Sequence, residues 1–273
     1  GGYFMEIVLE NASCKRNGYT ALYDLNVTIR GNKITAIMGK NKTPFAELIS
    51  GIIPCTTGTV QVGEDIIDSD TLLKVRQEVA LVRQNPQDQF FTDCVKDELE
   101  FIVDNLEYHD SNIQQRMLSS LYLVGLDDSY LDKKIVTLSS GEKKLIQVAV
   151  SLICNPKVII FDEPLVNFDF HHKKSLIRLI KMLKAKYKKT IIIISNDSDL
   201  LYSLADDLII LAADTIVVSG RATDLFKSVE LLKKYKIDVP DLVSFVTKAR
   251  DKNVKLSYQK DILDLIKDVY KHV

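Results

Sequence analysis

The apolar residues of the chain are spaced in two ways, which together predict strands that alternate with helices. Apolar runs of strand length occur at residues 7–9, 25–29, 34–38, 60–62, 79–82, 158–161 and 190–195. Apolar residues at helical spacing fill the stretches between them, at residues 43–50, 95–105, 111–124, 143–153 and 171–187. Because strands that are apolar throughout are typical of parallel sheets covered on both faces, the pattern predicts an α/β fold.

The C-terminal part of the chain has a different pattern. After Gly220 the chain is rich in lysine, and helical spacing recurs at residues 228–235, 241–252 and 259–272. We therefore expect a large domain over residues 5–220 and a small helical extension over residues 221–273. Within the large domain, the predicted helices of about residues 86–154 form a helical insert between the strands.

Composition and charge narrow the classes of function. The 36 Lys and Arg residues nearly balance the 37 Asp and Glu residues, and the formal net charge of -1 gives no electrostatic case for a nucleic-acid partner. The four cysteines lack metal-ligand spacing and are expected to be reduced thiols. The longest apolar run has only the length of a strand, so we expect any membrane role to come through a partner.

An apolar strand that ends in two carboxylates is the sharpest local signal. Asp162 and Glu163 directly follow the run at residues 158–161. Ligands bind at the carboxyl ends of buried parallel strands, where one carboxylate can hold Mg²⁺ while its neighbour polarises a water molecule. An ordinary acidic turn after a strand would contain the same residues, so this motif alone leaves both interpretations open.

Small residues before a helix give a second signal. Ser139, Ser140 and Gly141 precede a predicted helix that starts near Lys143, and exposed amides at a helix N-terminus suit a phosphate. A plain serine N-cap with Glu142 in the first turn explains the same residues nearly as well. The combination with the acidic strand end favours the phosphate interpretation.

These motifs resemble those of the ATP-binding-cassette (ABC) ATPases. Residues 138–142 (LSSGE) resemble the signature motif, which is usually LSGGQ, and residues 158–164 (VIIFDEP) resemble the Walker B strand with its catalytic glutamate. Residues 81–91 (LVRQNPQDQFF) are similar to the Q-loop of the family. Residues 167–169 occupy the position of the D-loop, and the strand at 190–195 leads to the switch position. The motifs follow one another in the order found in the family.

Within that family, the chain looks most like the ATPase subunits of energy-coupling-factor (ECF) importers. The resemblance rests on QNPQDQFF followed by VKDELEF, and on VELLKKYKIDVP in the tail. It implies a P-loop NTPase core with an antiparallel β subdomain, a helical insert and a small C-terminal helical extension that assists dimerisation. It also implies ATP and Mg²⁺ as cofactors, and coupling of ATP binding and hydrolysis to uptake of a vitamin or metal ion.

The implied partners are a second ABC ATPase subunit, a transmembrane coupling subunit and a substrate-binding membrane subunit. The implied location is the cytoplasmic face of the membrane. In the family, the region after the Q-loop grips the membrane subunit, so any exposed side chain among Phe90, Phe91 and Phe101 would be a docking residue.

The resemblance also assigns roles to individual residues. It implies that Glu163 activates the attacking water, with Gln84 and Asn196 beside it, and that Mg²⁺ is held by Thr43, Gln84 and Asp162. The residues implied to contact the nucleotide from the chain's own side are Arg16, Gly39, Lys40, Asn41, Lys42 and Thr43. The residues implied to contact the partner's nucleotide are Ser139, Ser140, Gly141 and Asp169.

The phosphate-binding loop departs from the family pattern G-x-x-x-x-G-K-[ST]. Only Lys40 and Asn41 separate Gly39 from Lys42, where the pattern has five residues, and Pro44 follows Thr43 without an N–H donor. We expect so short a loop to bind a triphosphate poorly. The alternative is that three residues, such as Gly-Ser-Gly, were omitted from the sequence, which would leave the two departures described next unexplained.

Two further departures lie on the same side of the site. Asn196 stands at the position of the switch histidine, and an amide cannot handle a proton as imidazole does. Arg16 stands where the family has an aromatic residue that stacks on adenine. We therefore expect an asymmetric heterodimer in which this chain completes its partner's site while its own site is impaired. A non-catalytic structural subunit and a soluble ABC ATPase outside transport remain alternatives.

Overall fold

The computed structural model describes residues 4–86, 89–166, 168 and 170–271. Its strands, numbered in chain order, are β1 Ile7–Arg16, β2 Tyr19–Ile29, β3 Ile34–Gly39, β4 Cys55–Val62, β5 Asp65–Ile66, β6 Val79–Val82, β7 Val158–Asp162, β8 Thr190–Ile194, β9 Asp207–Ala212 and β10 Thr215–Arg221. They form two sheets in the described part of the chain.

The helices surround these sheets and supply the helical insert and the C-terminal extension. They are α1 Lys42–Ile49, α2 Leu72–Glu78, α3 Val95–Asn105, α4 Ile113–Val124, α5 Ser140–Leu152, α6 Phe170–Ala185, α7 Ser198–Leu204, α8 Ala222–Lys227, α9 Val229–Lys234, α10 Asp241–Asp251 and α11 Ile262–Tyr270. Across the described residues, none of these helices is both long and apolar enough to cross a membrane.

The larger sheet has the strand order β10-β9-β3-β8-β7-β6. Strands β9, β3, β8, β7 and β6 run parallel, and β10 pairs with β9 in an antiparallel hairpin. Every residue of β7 and β8 is buried, because helices cover one face and α1 with the smaller sheet covers the other. This arrangement confirms the predicted α/β fold with a parallel sheet buried on both faces.

The smaller sheet has the order β2-β1-β4-β5 and is antiparallel throughout its described pairings. Its first two strands run well beyond the predicted residues 7–9 and 25–29, because much of each strand is exposed and polar, which interrupts the apolar run. The β9–β10 hairpin and the short helices α2, α7 and α8 were not predicted. The predicted bounds of the large domain, residues 5–220, stay a prediction. So do those of the helical insert, about residues 86–154.

Two predicted helix starts are wrong by about three residues. Helix α5 begins at Ser140 and not near Lys143, because Ser139 caps it. Helix α11 begins at Ile262 and not at residue 259, because the side chain of Asp261 accepts a hydrogen bond from the N–H of Leu263. In both cases a capping side chain, which satisfies an otherwise free N–H group, fixes the first turn.

Candidate functional site

The carboxyl ends of three adjacent strands bring the predicted core residues together. Strand β8 pairs in parallel with β3 on one side and with β7 on the other. Gly39 at the end of β3, Asp162 at the end of β7 and Ser195 just after β8 therefore lie at the same edge of the sheet. This is the edge at which parallel α/β sheets bind ligands.

The turn between β3 and α1 is fastened to the β9–β10 hairpin. Gly39 has a φ of 104°, and a Cβ atom there would lie 1.9 Å from the carbonyl oxygen of Leu211, so only glycine fits. The N–H of Lys40 donates to that same oxygen at 3.2 Å. The side chain of Asn41, a residue with a φ of 56°, donates to the carbonyl oxygens of Ala213 at 2.7 Å and Ala21 at 3.2 Å. The N–H of Lys40 and the side chain of Asn41 are thus bonded to neighbouring backbone carbonyls.

The predicted Walker A lysine and the predicted catalytic glutamate form an ion pair. The Lys42 ammonium lies 3.3 Å from Oε1 of Glu163, and both side chains are largely buried. The Ser195 hydroxyl donates to Oε2 of Glu163 at 2.8 Å. Glu163 has a φ of 44°, a left-handed conformation that costs a non-glycine residue about 1–3 kcal/mol. Both oxygens of this carboxylate are therefore engaged within the chain.

The predicted Mg²⁺ ligands from the same edge are also in contact. The Thr43 hydroxyl donates to Oδ2 of Asp162 at 3.3 Å. Burial raises the pKa of Asp162, while the hydrogen bond from Thr43 opposes that rise. A hydroxyl and a carboxylate that converge in this way are the oxygen ligands that Mg²⁺ prefers.

Gln84 lies in an exposed segment whose backbone is bonded to helix α5. Its carbonyl oxygen accepts a hydrogen bond from the Lys144 ammonium at 3.0 Å, and the carbonyl of Arg83 accepts one from the same group. Gln147 donates to the Arg83 carbonyl at 3.0 Å. The roles of Lys144 and Gln147 were not predicted from the sequence. The available signal was a pair of polar residues three positions apart within the buried stripe of a helix.

The signature residues form the start of helix α5. The Ser139 hydroxyl accepts from the N–H of Glu142, and the Glu142 carboxylate accepts from the N–H of Ser139, which completes a capping box. The hydrogen bond from the Tyr130 hydroxyl, at 2.6 Å, and the bonds from Ser139 lower the pKa of Glu142 to about 2. The structure thus contains the serine N-cap that the sequence left open as an alternative to the phosphate interpretation.

Two other signature residues differ in exposure. Ser140 is exposed on the first turn of α5. Gly141 is buried, and a Cβ atom there would lie 3.1 Å from the ring of His172, so a larger residue would push that ring aside. The start of the signature helix therefore contacts Tyr130 and His172. The residues Lys42, Thr43, Asp162 and Glu163 form a separate cluster.

The remaining predicted site residues have separate surroundings. The Arg16 guanidinium lies 3.5 Å from Oε1 of Glu47 on α1, and Arg83 reaches the same oxygen at 3.5 Å. Asn196 is exposed in the segment after β8. Asp169, the predicted D-loop residue, lies outside the described residues.

Comparisons with known proteins agree with this geometry. A family profile described as ABC transporter matches residues 22–166 of the chain. The chain is 32% identical over 262 residues to the energy-coupling factor transporter ATP-binding protein EcfA1 of Mycoplasma mobile, with 94% of each protein covered. It is 30% identical over 243 residues to EcfA2 of Clostridium perfringens, with 87% of this chain and 85% of that protein covered.

Solved structures show the same fold. The structure of cbiO1 from Clostridium perfringens, described as part of the ABC transporter complex cbiONQ, has a TM-score of 0.72 and 24% identity, and covers 90% of this chain and 100% of that one. A dimeric structure of the ATP-binding cassette MJ0796 bound to ADP and Pi has a TM-score of 0.70 and 21% identity, and covers 79% and 98%. The profile and the relatives together cover most of the molecule. The chain belongs to the ABC transporter family and is one of its ATPase cassettes.

Proposed function

We propose that the chain is the ATP-binding subunit of an energy-coupling-factor type importer. It would work at the cytoplasmic face of the membrane with a second ATPase subunit, a transmembrane coupling subunit and a subunit that binds a vitamin or metal ion. The similarity to EcfA1 and EcfA2 over most of both chains supports this assignment. The substrate is chosen by another subunit of such a complex.

We further propose that the chain's own phosphate-binding side is impaired. A triphosphate cradle needs several free backbone N–H groups, but this turn has two residues, and the N–H of Lys40 is already bonded to Leu211. The Lys42 ammonium is paired with Glu163. The turn therefore does not fit a triphosphate, although Thr43 and Asp162 fit Mg²⁺. Each charge-assisted hydrogen bond that is missing costs about 1.5–3 kcal/mol, so the loss of several weakens binding by orders of magnitude.

The signature side is the part that this chain would supply to its partner. Helix α5 presents an exposed Ser140 on its first turn, where the helix dipole favours an anion, and its capping box occupies the N–H groups of Ser139 and Glu142. The observation that carries the proposal is this contrast within one chain: the Lys42 ammonium after the phosphate turn is already paired with Glu163, whereas Ser140 is exposed on the first turn of the signature helix. It supports a heterodimer with one competent site.

Exposed apolar residues suit the proposed partners. Phe91 is 68% exposed and stacks on Phe101 with ring centroids 5.1 Å apart, beside the segment that would grip the membrane subunit. In the C-terminal extension, the apolar faces of α10 and α11 line an open groove of about 700 Å³ that includes Phe245 and Ile266. We assign this groove to the contact with the second ATPase subunit.

A pair of substitutions in the assembled complex tests the proposal. Ser140→Arg places a bulky cation at the proposed contact with the partner's nucleotide and should lower ATP hydrolysis by about 100-fold, through loss of the assembled site. Ser119→Arg, an exposed change on α4, is the matched control and should leave the rate near that of wild type. Lys42→Ala should change the rate little. A large loss with Lys42→Ala and none with Ser140→Arg would reverse the assignment of the two sides.

The alternative of a non-catalytic structural subunit is favoured by one observation, the pairing of Glu163 with Lys42 and Ser195. Glu163→Gln in the assembled complex separates the two proposals. Unchanged turnover supports the structural subunit, whereas a measurable fall shows slow hydrolysis at this chain's own site. A soluble ATPase that acts outside transport is tested by co-purification, since it would be recovered without a membrane protein.

A further inference from the structure

A lysine of helix α5 is buried among apolar residues and bonded to a distant backbone segment. Lys144 is 3% exposed, and its ammonium donates to the carbonyl oxygens of Arg83 and Gln84, the latter at 3.0 Å. Burial lowers the pKa of Lys144 to about 8, and the nearby charge of Asp162 opposes that change. Hydrogen bonds from a charged donor in so dry an environment are strong ones.

Gln147, one turn further along the same face of α5, extends this contact. It is 1% exposed and donates to the Arg83 carbonyl at 3.0 Å and to the side-chain oxygen of Gln89. The Gln89 amide in turn donates to the carbonyl of Leu81 at 3.0 Å, and its oxygen accepts from the N–H of Arg83 at 3.3 Å. The backbone on both sides of Gln84 is thus bonded to one helix.

We propose that Lys144 is a positioning residue that latches the Q-loop backbone at Arg83 and Gln84 onto the signature helix. The latch uses protein contacts alone, so the two segments move together whether or not the chain's own site holds a nucleotide. Helix α5 starts at Ser140, a little over one turn from Lys144, and carries the signature residues at its N-terminus. Movement of the Q-loop is therefore passed to the end of the helix that faces the partner's site.

This inference rests on the proposed function, because it links a membrane subunit docked near Phe91 to ATP turnover in the partner's site. The link is a chain of direct contacts: the loop backbone, the Lys144 ammonium and the body of one helix. A rigid helix with a buried anchor transmits a displacement without needing a flexible segment in between.

Hydrogen–deuterium exchange on the isolated chain tests the latch itself. Lys144→Met keeps the length of the side chain and removes all its donors, so the amide of Arg83, which is bonded to Gln89 in the same network, should exchange about tenfold faster or more. Lys143→Met, a change of the same kind at the partly exposed neighbouring position, is the control and should leave this amide unchanged. Faster exchange confined to this amide and α5 supports the latch. Unchanged exchange there, or faster exchange throughout the core, overturns it.

The functional consequence is read from the assembled transporter. The ratio of ATP hydrolysis with and without the membrane subunits should fall about tenfold in Lys144→Met and stay at the wild-type value in Lys143→Met. Lys144→Gln, which restores a neutral donor, should recover part of the ratio, and a purely packing role would leave it at the value of Lys144→Met. A wild-type ratio in Lys144→Met overturns the coupling role. Failure of the wild-type chain to assemble with a membrane subunit would instead contradict the proposed function. The exchange experiment on the isolated chain would still test the latch.

Discussion

At the scale of single residues, the polar side chains of the site are paired with one another. Lys42 pairs with Glu163, and Thr43 bonds to Asp162. In a partly buried setting, such pairs strongly resist separation, because removal of one partner leaves the other desolvated and unpaired. A ligand that needed these groups would have to compensate for breaking those contacts. We therefore expect the pairing, in addition to the short turn, to weaken nucleotide binding.

The capping box at the signature helix gives a prediction for pH dependence. The pKa of Glu142 is lowered from 4.5 to about 2, chiefly by the Tyr130 hydroxyl and then by Ser139, so the unfolded chain binds more protons between these values. Its contribution to stability is full above about pH 4.5 and is lost as the pH falls through about 2. Glu142→Gln should cost about 1 kcal/mol in free energy of unfolding at pH 7.

That difference between wild type and Glu142→Gln should shrink as the pH is lowered towards 2, because both side chains are then uncharged. Urea unfolding followed by circular dichroism at several pH values measures it. Tyr130→Phe is the matched control, since it keeps the ring and removes the hydroxyl that contributes most to the lowered pKa of Glu142. A difference that stayed constant from pH 7 to pH 3 would show that the charge of Glu142 does not stabilise the helix.

At the scale of elements, the connection between β3 and α1 decides what the site can bind. Insertion of Gly-Ser-Gly between Asn41 and Lys42 would give the sequence GKNGSGKT, which matches the family pattern. The inserted amides should raise ATP affinity by about 100-fold or more, as two or more charge-assisted hydrogen bonds would. Isothermal titration calorimetry with Mg-ATP measures the change.

An insertion of Ala-Ser-Ala at the same place is the control for this element. It has the same length, but alanine does not readily take the positive φ angles that a phosphate loop uses, so it should gain much less affinity. Tight ATP binding by the unmodified chain would show that the short turn does not limit ATP affinity. Equal gains from both insertions would show that length, and not glycine geometry, limits binding.

The elements also show what the sequence could and could not predict. Strands β7 and β8 were predictable because every residue of them is buried and all but Asp162 and Thr190 are apolar. The apolar run at 208–211 carried the same signal for β9, which was overlooked. Lys144 was harder to assign, because its acceptors are carbonyl groups of a segment about 60 residues away in the chain. The Lys42–Glu163 ion pair likewise depends on which strands are neighbours, and that follows from the fold as a whole.

At the scale of the whole molecule, we propose a subunit with two unequal sides. On one side, around the β3–α1 turn, the Lys42 ammonium is paired with Glu163 and the Lys40 N–H with the carbonyl of Leu211. The other side, at the start of α5, is capped and exposed, and the latch at Lys144 ties it to the segment next to the exposed Phe91. Such a subunit makes physical sense in a pair whose second member supplies the phosphate-binding groups. The motifs alone suggested this division, and the side-chain contacts give it a physical basis.

The number of nucleotides trapped per complex tests this division most directly. The chain would be purified with its ATPase partner and membrane subunits, incubated with Mg-ATP and vanadate, and freed of unbound nucleotide before the retained nucleotide is counted. We expect one trapped nucleotide per pair of ATPase subunits, bound by the partner's phosphate loop. Two trapped nucleotides per pair, or one bound by the turn between Gly39 and Lys42, would contradict it.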